Sequence, residues 1–135
     1  MTKETYKQVA LEKRKKRDSK FIKEWLIKEN DLPGPEIQDV LQWPVNSGYL
    51  NQVEVAITES SVPEISEKLR SKEWSSYQVT SAFCHRASIA HQLVNCLSEV
   101  FFEEGLEMAK ELDDFYEKTG QLKGPLHGIP ISLKD

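Results

Sequence analysis

The sequence predicts an α/β protein that is predominantly helical over this stretch, with one or two β-strands. Apolar residues recur at three- and four-residue steps in several segments, which is the spacing of one face of an α-helix. By contrast, apolar and other side chains alternate strictly over residues 129–134, and a period of two is typical of a β-strand. A chain of 135 residues has room for one domain.

The first helix is predicted over residues 3–30, a stretch that contains neither Gly nor Pro. Apolar faces around Tyr6 and around Trp25 flank residues 12–20, which are entirely polar. We therefore expect the middle of this helix to lie in water while its two ends pack against other parts of the protein. Prolines and glycines then predict a loop over residues 31–48 that no helix continues through.

Five further elements, four helices and one strand, are predicted from local signals. A short helix is expected at residues 50–57, and the capping box Ser-Val-Pro-Glu predicts another at 62–72. The most strongly periodic helix is residues 76–94, and a last helix with an acidic first turn covers 103–119. Aromatic and β-branched residues predict a short strand at 96–102 between them.

Lys134 lies at the end of the predicted strand 129–134, and its spacing alone leaves its role open. A lysine on an edge strand protects the sheet from aggregation, which is the commoner use of the residue. A lysine whose pKa is lowered by burial can instead act as a base. The pattern does not show burial, so it does not decide between the two roles.

The histidines and cysteines do not have the spacing of metal ligands, so no metal site is predicted. His85 and His91 are six residues apart, which places them on roughly opposite sides of a helix rather than on one face. Cys84 and Cys96 are expected to be free thiols in a reducing compartment. The polar N-terminus resembles no secretory signal, and we therefore expect a cytoplasmic protein.

Charge is distributed unevenly between the two ends of the chain. Residues 1–30 hold ten Lys/Arg against five Asp/Glu, whereas residues 31–135 hold eight against seventeen. A basic run at residues 13–17 is typical of a solvated helix face, and no aromatic residues interleave with it to stack on nucleic acid bases. No apolar run approaches the ~20 residues that a membrane-spanning helix needs.

The segment Gly-Pro-Leu-His-Gly-Ile-Pro-Ile-Ser-Leu-Lys-Asp at residues 124–135 resembles the start of the catalytic core of the amidase signature family. Residues 82–86 and 91–97 are similar to the corresponding helix and strand of eukaryotic, fungal-type acetamidases and general amidases. The resemblance extends over roughly residues 58–135, which would be the start of the amidase signature domain. Residues 1–57 would then be an N-terminal helical extension and loop.

The resemblance implies a mixed sheet covered by helices and hydrolysis of linear amides to carboxylate and ammonia by a Ser–cis-Ser–Lys triad. Only Lys134, the triad's base, carries over to this sequence, and no cofactor is implied. In the family both serines and the oxyanion-hole amides follow the lysine in a Gly/Ser-rich segment. Ser61 and Ser75 instead occupy predicted capping positions, and His127 is interpreted as a turn residue. We therefore expect residues 1–135 alone to be an inactive N-terminal fragment with an incompletely closed fold.

Two alternatives from other classes remain open. One is a non-catalytic helical interaction module, left from a truncated amidase gene, that binds a partner through exposed apolar faces. The other is a basic helix that binds nucleic acid or an acidic partner, which salt-dependent binding would reveal. The sequence leaves open which amide is the substrate, whether the protein is a homodimer, and whether the chain is a natural truncation.

Overall fold

Helices account for all the regular secondary structure of residues 3–134, the part of the chain that this computed structural model describes. The α-helices are α1 (Lys3–Asp18), α2 (Trp43–Asn46), α3 (Gln52–Glu59), α4 (Val62–Arg70), α5 (Ser76–Val94) and α6 (Phe102–Thr119). Two 3-10 helices, at Lys23–Trp25 and Glu29–Asp31, lie between α1 and α2.

The central element is α5, which packs against α6 on one side and α3 on another. Two clusters of buried apolar residues surround it. The first cluster consists of Ile57, Ile65, Leu69, Val79 and Ala82. The second consists of Ile27, Leu50 and Ile89. The central helix α5 therefore shares the first cluster with α3 and α4, which come earlier in the sequence.

Local signals define the bounds of the later helices. The prediction of residues 76–94 for α5 is confirmed, with Ser75 accepting a hydrogen bond from the Gln78 backbone N–H and Asn95 ending the helix at φ +50°. The helices predicted at residues 62–72 and 103–119 are also confirmed, within two residues, as α4 and α6.

The prediction of one helix over residues 3–30 is wrong beyond Asp18, where α1 ends. Gln92 of α5 supplies the physical reason. Its side-chain oxygen accepts the Ile27 N–H at 2.8 Å, and its Nε2 donates to the Trp25 carbonyl at 3.0 Å. These backbone groups are satisfied without a helix, which frees Ile27 to enter the core.

We expected both ends of residues 3–30 to pack against the protein and the polar middle to lie in water, and this expectation is also partly wrong. Tyr6 and Val9 are about half exposed, so the described residues cover the first apolar face only in part. The polar part of α1 makes the contact instead. Arg17 donates to the Leu97 carbonyl at 3.1 Å, and Lys13 pairs with Glu99 at 3.2 Å.

The loop over residues 31–48 contains a short helix that was not predicted. Pro44 lies in the first turn of α2, where a missing N–H leaves no hydrogen bond unmade. The following helix, α3, begins two residues later than predicted because Asn51 caps it. Asn51 accepts from the Glu54 N–H, and the Glu54 carboxylate accepts from the Asn51 N–H.

The strand predicted at residues 96–102 is wrong: this stretch is irregular up to Phe102, the first residue of α6. The Leu97 N–H donates to Nδ1 of His91, and its carbonyl accepts from Arg17, so side chains take the place of a strand partner. Residues 129–134 are not assigned to a strand and have no partner strand within residues 3–134. The β part of the predicted α/β fold is therefore not seen in the described residues.

Candidate active-site segment

The segment that ends in Lys134 leaves the helical body after a turn at residues 124–128. Within the turn, the His127 N–H donates to the Gly124 carbonyl at 3.2 Å, and the Ile129 N–H donates to the Leu126 carbonyl at 3.1 Å. Ile129 then packs against the first core cluster. From Ile131 onwards the described chain is exposed, including Lys134 itself.

Exposure rises steadily along the segment. The side chain of Ile131 is 68% exposed and that of Leu133 is 91% exposed. Residues 3–134 thus present the predicted catalytic lysine in solvent.

The turn itself is anchored by His127, which is only 7% exposed. Its Nδ1 accepts the Lys123 backbone N–H at 3.1 Å, so the neutral ring carries its proton on Nε2. Its ring meets that of Tyr116 edge to face, with centroids 5.9 Å apart. Burial lowers the pKa of His127, the nearby Lys123 lowers it further, and Asp113 opposes the shift. The prediction of a turn residue is confirmed, but the burial of the ring was not foreseen.

Gly128 follows with φ +74°, a conformation that favours glycine. A Cβ atom at this position would lie 2.6 Å from Oγ of Ser76 and 3.1 Å from Cδ1 of Leu69. The turn is therefore pressed directly onto the first residue of α5. Any larger side chain would force the two apart.

A cavity of about 160 Å³ lies beside this contact, between the end of α4, the start of α5 and α6. Asp113 of α6 lines it and accepts the backbone N–H groups of Ser76 at 2.6 Å and Tyr77 at 2.9 Å. A carboxylate here caps the first turn of α5 and matches the helix dipole. Oγ of Ser76 and Nε2 of His127 are buried and form no hydrogen bond with the described residues.

Ser76 is therefore not a nucleophile in this arrangement, since its hydroxyl is buried against Gly128 and forms no hydrogen bond with a base. Ser61 and Ser75 lie at the caps of α4 and α5, as predicted. The described residues do not bring a serine and Lys134 together as a nucleophile and its base.

The other candidate side chains have separate structural environments. Nδ1 of His85 lies 2.8 Å from Oε1 of Glu54, whereas Nδ1 of His91 accepts the Leu97 N–H at 3.0 Å. Burial lowers the pKa of His91, and the positive charge of Arg17 adds to this shift. Within residues 3–134, no three of the His, Cys, Asp and Glu side chains cluster closely enough to bind a metal ion.

The two cysteines are free and differ in their surroundings. Burial raises the pKa of the Cys84 thiol to about 11, which suppresses the reactive thiolate, whereas Cys96 is exposed. Across the described part of the chain, helices long and apolar enough to cross a membrane are absent.

Comparison with known proteins identifies the class to which this segment belongs. The family model "Amidase" matches residues 78–135. A putative amidase, kk1C, of Curvularia clavata is 42% identical over 135 residues, which cover 100% of this chain and 25% of that protein. An acetamidase of Emericella nidulans is 42% identical over 132 residues, covering 98% of this chain and 23% of that protein.

The structural comparison agrees with the sequence comparison. A solved structure of fatty acid amide hydrolase matches with a TM-score of 0.82 and 35% identity, covering 90% of this chain and 22% of that one. The family model and the fungal relatives support the assignment of this chain to the amidase signature family. The chain is similar to the N-terminal part of fungal amidases and acetamidases, and it spans about a quarter of the length of these relatives.

Three features of this site were not predicted from the sequence: the burial of His127, the contact of Gly128 with Ser76, and the cap that Asp113 places on α5. The last two join residues more than 35 positions apart, and no local pattern signals them. The turn residues were recognisable, but the surface onto which they fold was not.

Proposed function

We propose that residues 1–135 form the N-terminal part of an amidase that hydrolyses linear carboxylic amides to carboxylate and ammonia. The observation that carries this proposal is the motif ending in Lys134, in a chain that is 42% identical to an acetamidase over 98% of its length. The substrate would be a small-molecule amide. Residues 58–135 would begin the catalytic domain, and residues 1–57 would extend it at the N-terminus.

In this proposal Lys134 is the base of a Ser–cis-Ser–Lys triad. A serine hydroxyl is a weak nucleophile until a neighbouring base accepts its proton. A lysine can be that base once burial favours its neutral form. Both serines would come from sequence outside residues 1–135, which would also bury the lysine.

The exposure of the terminal segment supports the same proposal. Ile131 and Leu133 expose most of their surface, although their alternation with polar residues is typical of a half-buried strand. We propose that they pair with strands contributed from outside this chain. Residues 1–135 alone would then hydrolyse no amide. We also propose a cytoplasmic location, in which two unpaired cysteines would stay reduced.

The test uses the complete protein expressed from its full reading frame, with ammonia release from acetamide as the measurement. We expect Lys134→Ala to lower kcat by several orders of magnitude while substrate binding changes much less. Lys118→Ala, which removes an exposed lysine of α6, is the matched control and should retain full activity. A near-normal kcat in Lys134→Ala would exclude the proposed base.

The 135-residue chain is tested separately with acetamide and a chromogenic anilide. We expect no turnover above that of a blank preparation. Turnover that survives extensive purification and disappears with Lys134→Ala would show that this chain is itself an amidase.

A further inference from the structure

We propose that His127 and Gly128 are positioning residues, which fix the point from which the segment carrying Lys134 leaves the helical body. This inference rests on the proposed function, because Lys134 matters only if it is the base. Neither residue touches the amine of Lys134. They would act by holding the start of the segment in one place.

The position of the anchor follows from the burial along the segment. His127 and Gly128 are buried, Ile129 packs against the core, and every residue from Ile131 to the end of the described chain is exposed. The last firm contacts before Lys134 are therefore made by residues 127–129. Lys134 is the sixth residue after Gly128, and an extended chain of six residues reaches about 20 Å. The location of the turn thus limits where the lysine can lie.

The ring of His127 joins the turn to two helices. Nδ1 accepts the Lys123 N–H and so closes the loop on itself. The edge-to-face contact with Tyr116 attaches the ring to α6. The Tyr116 hydroxyl in turn donates to the Arg70 carbonyl at the end of α4, at 2.8 Å. Both a hydrogen-bond acceptor and an aromatic ring are therefore used at position 127.

Gly128 determines how closely the turn packs against α5. Its φ of +74° and the 2.6 Å between its hypothetical Cβ and Oγ of Ser76 leave no space for another residue. Ser76 is itself held by Asp113, which accepts its backbone N–H. The turn therefore packs against the first turn of α5, which α6 holds in place. This arrangement fixes the point at which the segment carrying Lys134 leaves the helical body.

Two substitutions in the complete protein separate the two functions of the ring. His127→Asn retains an acceptor at the place of Nδ1 but loses the ring, whereas His127→Phe retains the ring but loses the acceptor. Ile89→Val, in the second core cluster far from the turn in sequence, serves as the control for a general loss of packing.

The first measurement is hydrogen exchange followed by mass spectrometry, which does not depend on catalysis. We expect His127→Phe to speed exchange at the Lys123 amide and over residues 128–134 by about tenfold or more. His127→Asn should leave the Lys123 amide near its wild-type rate, and Ile89→Val should leave both regions unchanged. Wild-type exchange over residues 123–134 in His127→Phe would overturn the proposal.

The second measurement is the division of the effect between kcat and KM on an amide substrate. Small misplacement of a reacting group can lower a rate about 100-fold, so we expect kcat of His127→Phe to fall 10- to 100-fold with KM less affected. His127→Asn should recover part of that loss. An equal loss of kcat in Ile89→Val would show that the role is merely structural and overturn the proposal.

The two proposals can fail separately. If Lys134→Ala abolishes turnover while both His127 variants keep the wild-type kcat, the base is supported and the positioning role is excluded. If Lys134→Ala has no effect, the proposed function fails, and the positioning of a catalytic base fails with it. The exchange measurement then still decides whether His127 anchors the segment.

Discussion

Nδ1 of His85 lies 2.8 Å from Oε1 of Glu54, and this contact joins α5 to α3 across the core. The other oxygen of the same carboxylate accepts the Asn51 N–H at 2.9 Å and completes the capping box of α3. Trp25 stacks on the face of the imidazole, with ring centroids 5.1 Å apart. One carboxylate thus begins a helix and also fixes its position against the central one.

The double role of Glu54 leads to the first prediction. Glu54→Ala removes half of the capping box and leaves the buried Nδ1 of His85 without its partner, so we expect the free energy of unfolding to fall by about 2–3 kcal/mol. Asn51→Ala affects the cap alone and should cost about 1 kcal/mol. Urea unfolding followed by circular dichroism measures both. Equal losses in the two variants would show that the contact with His85 contributes nothing.

The second prediction compares two glycines that both have positive φ. Gly120, at φ +66°, has no atom within 4 Å of a hypothetical Cβ, whereas the same atom at Gly128 would lie against Ser76. Gly120→Ala should therefore cost only the backbone strain, about 1 kcal/mol. Gly128→Ala should cost about 1–3 kcal/mol more because of overpacking.

Removing the hydroxyl that causes the clash is the control for this comparison. Ser76→Ala in the Gly128→Ala background should recover part of the lost free energy of unfolding. The same substitution alone should be nearly neutral, because Oγ of Ser76 is buried without a partner among the described residues. If Gly128→Ala were no more destabilising than Gly120→Ala, the close contact with Ser76 would be excluded.

The parts of this fold that could be predicted are those whose signals are local. The bounds of α5 follow from the Ser75 and Gln78 capping pair and from Asn95, all within or beside the helix. Residues 19–30 and 96–102 were assigned wrongly because distant side chains satisfy their backbone groups. Those side chains are Gln92 in the first case, and His91 and Arg17 in the second.

The candidate site shows the same division between local and distant information. Lys134 was located by a contiguous motif, and its role as a base stays a prediction. The surface that receives the turn at His127 consists of Ser76, Asp113 and Tyr116, which lie 11 to 51 residues away in sequence. Periodicity and capping patterns carry no information about such contacts, so only the structure could reveal them.

The third prediction concerns the two thiols. A pKa of about 11 leaves Cys84 almost entirely protonated at pH 8, whereas Cys96 is exposed. Because the thiolate is the reactive form, a maleimide or Ellman reagent should modify Cys96 much faster than Cys84. We expect Cys96→Ser to remove the fast phase and Cys84→Ser to leave it intact. A fast phase that survives in Cys96→Ser would show that Cys84 is accessible and activated.

The last prediction concerns the pH dependence of stability. His91 and His127 both have a pKa below the ordinary value of 6.5, mainly because of burial. Asp18 and Asp113 oppose this shift, whereas Arg17 and Lys123 reinforce it. In the unfolded chain each histidine takes up a proton near pH 6.5, whereas in the folded protein it does so only at lower pH.

The sign of the effect follows from this difference in bound protons. Above pH 6.5 both states hold a neutral ring, and the full stability is present. As the pH falls below 6.5, the unfolded state binds more protons, so the free energy of unfolding decreases until the folded-state pKa is passed. The slope is at most about 1.4 kcal/mol per pH unit for each histidine.

Urea titrations at pH 7.5 and pH 5.2 measure this effect. The lower pH lies above the range in which the carboxylates of Glu64 and Glu104 titrate, because the pKa of each is lowered from 4.5. We expect the wild-type protein to be less stable at pH 5.2. His127→Asn and His91→Asn should each retain an acceptor for the backbone N–H while removing one titrating group. Each variant should therefore show a smaller difference in free energy of unfolding between pH 7.5 and pH 5.2 than the wild-type protein. If the wild-type protein were equally stable at both pH values, the two rings would not be held neutral by burial, and the anchoring of the turn by a neutral His127 would have to be abandoned.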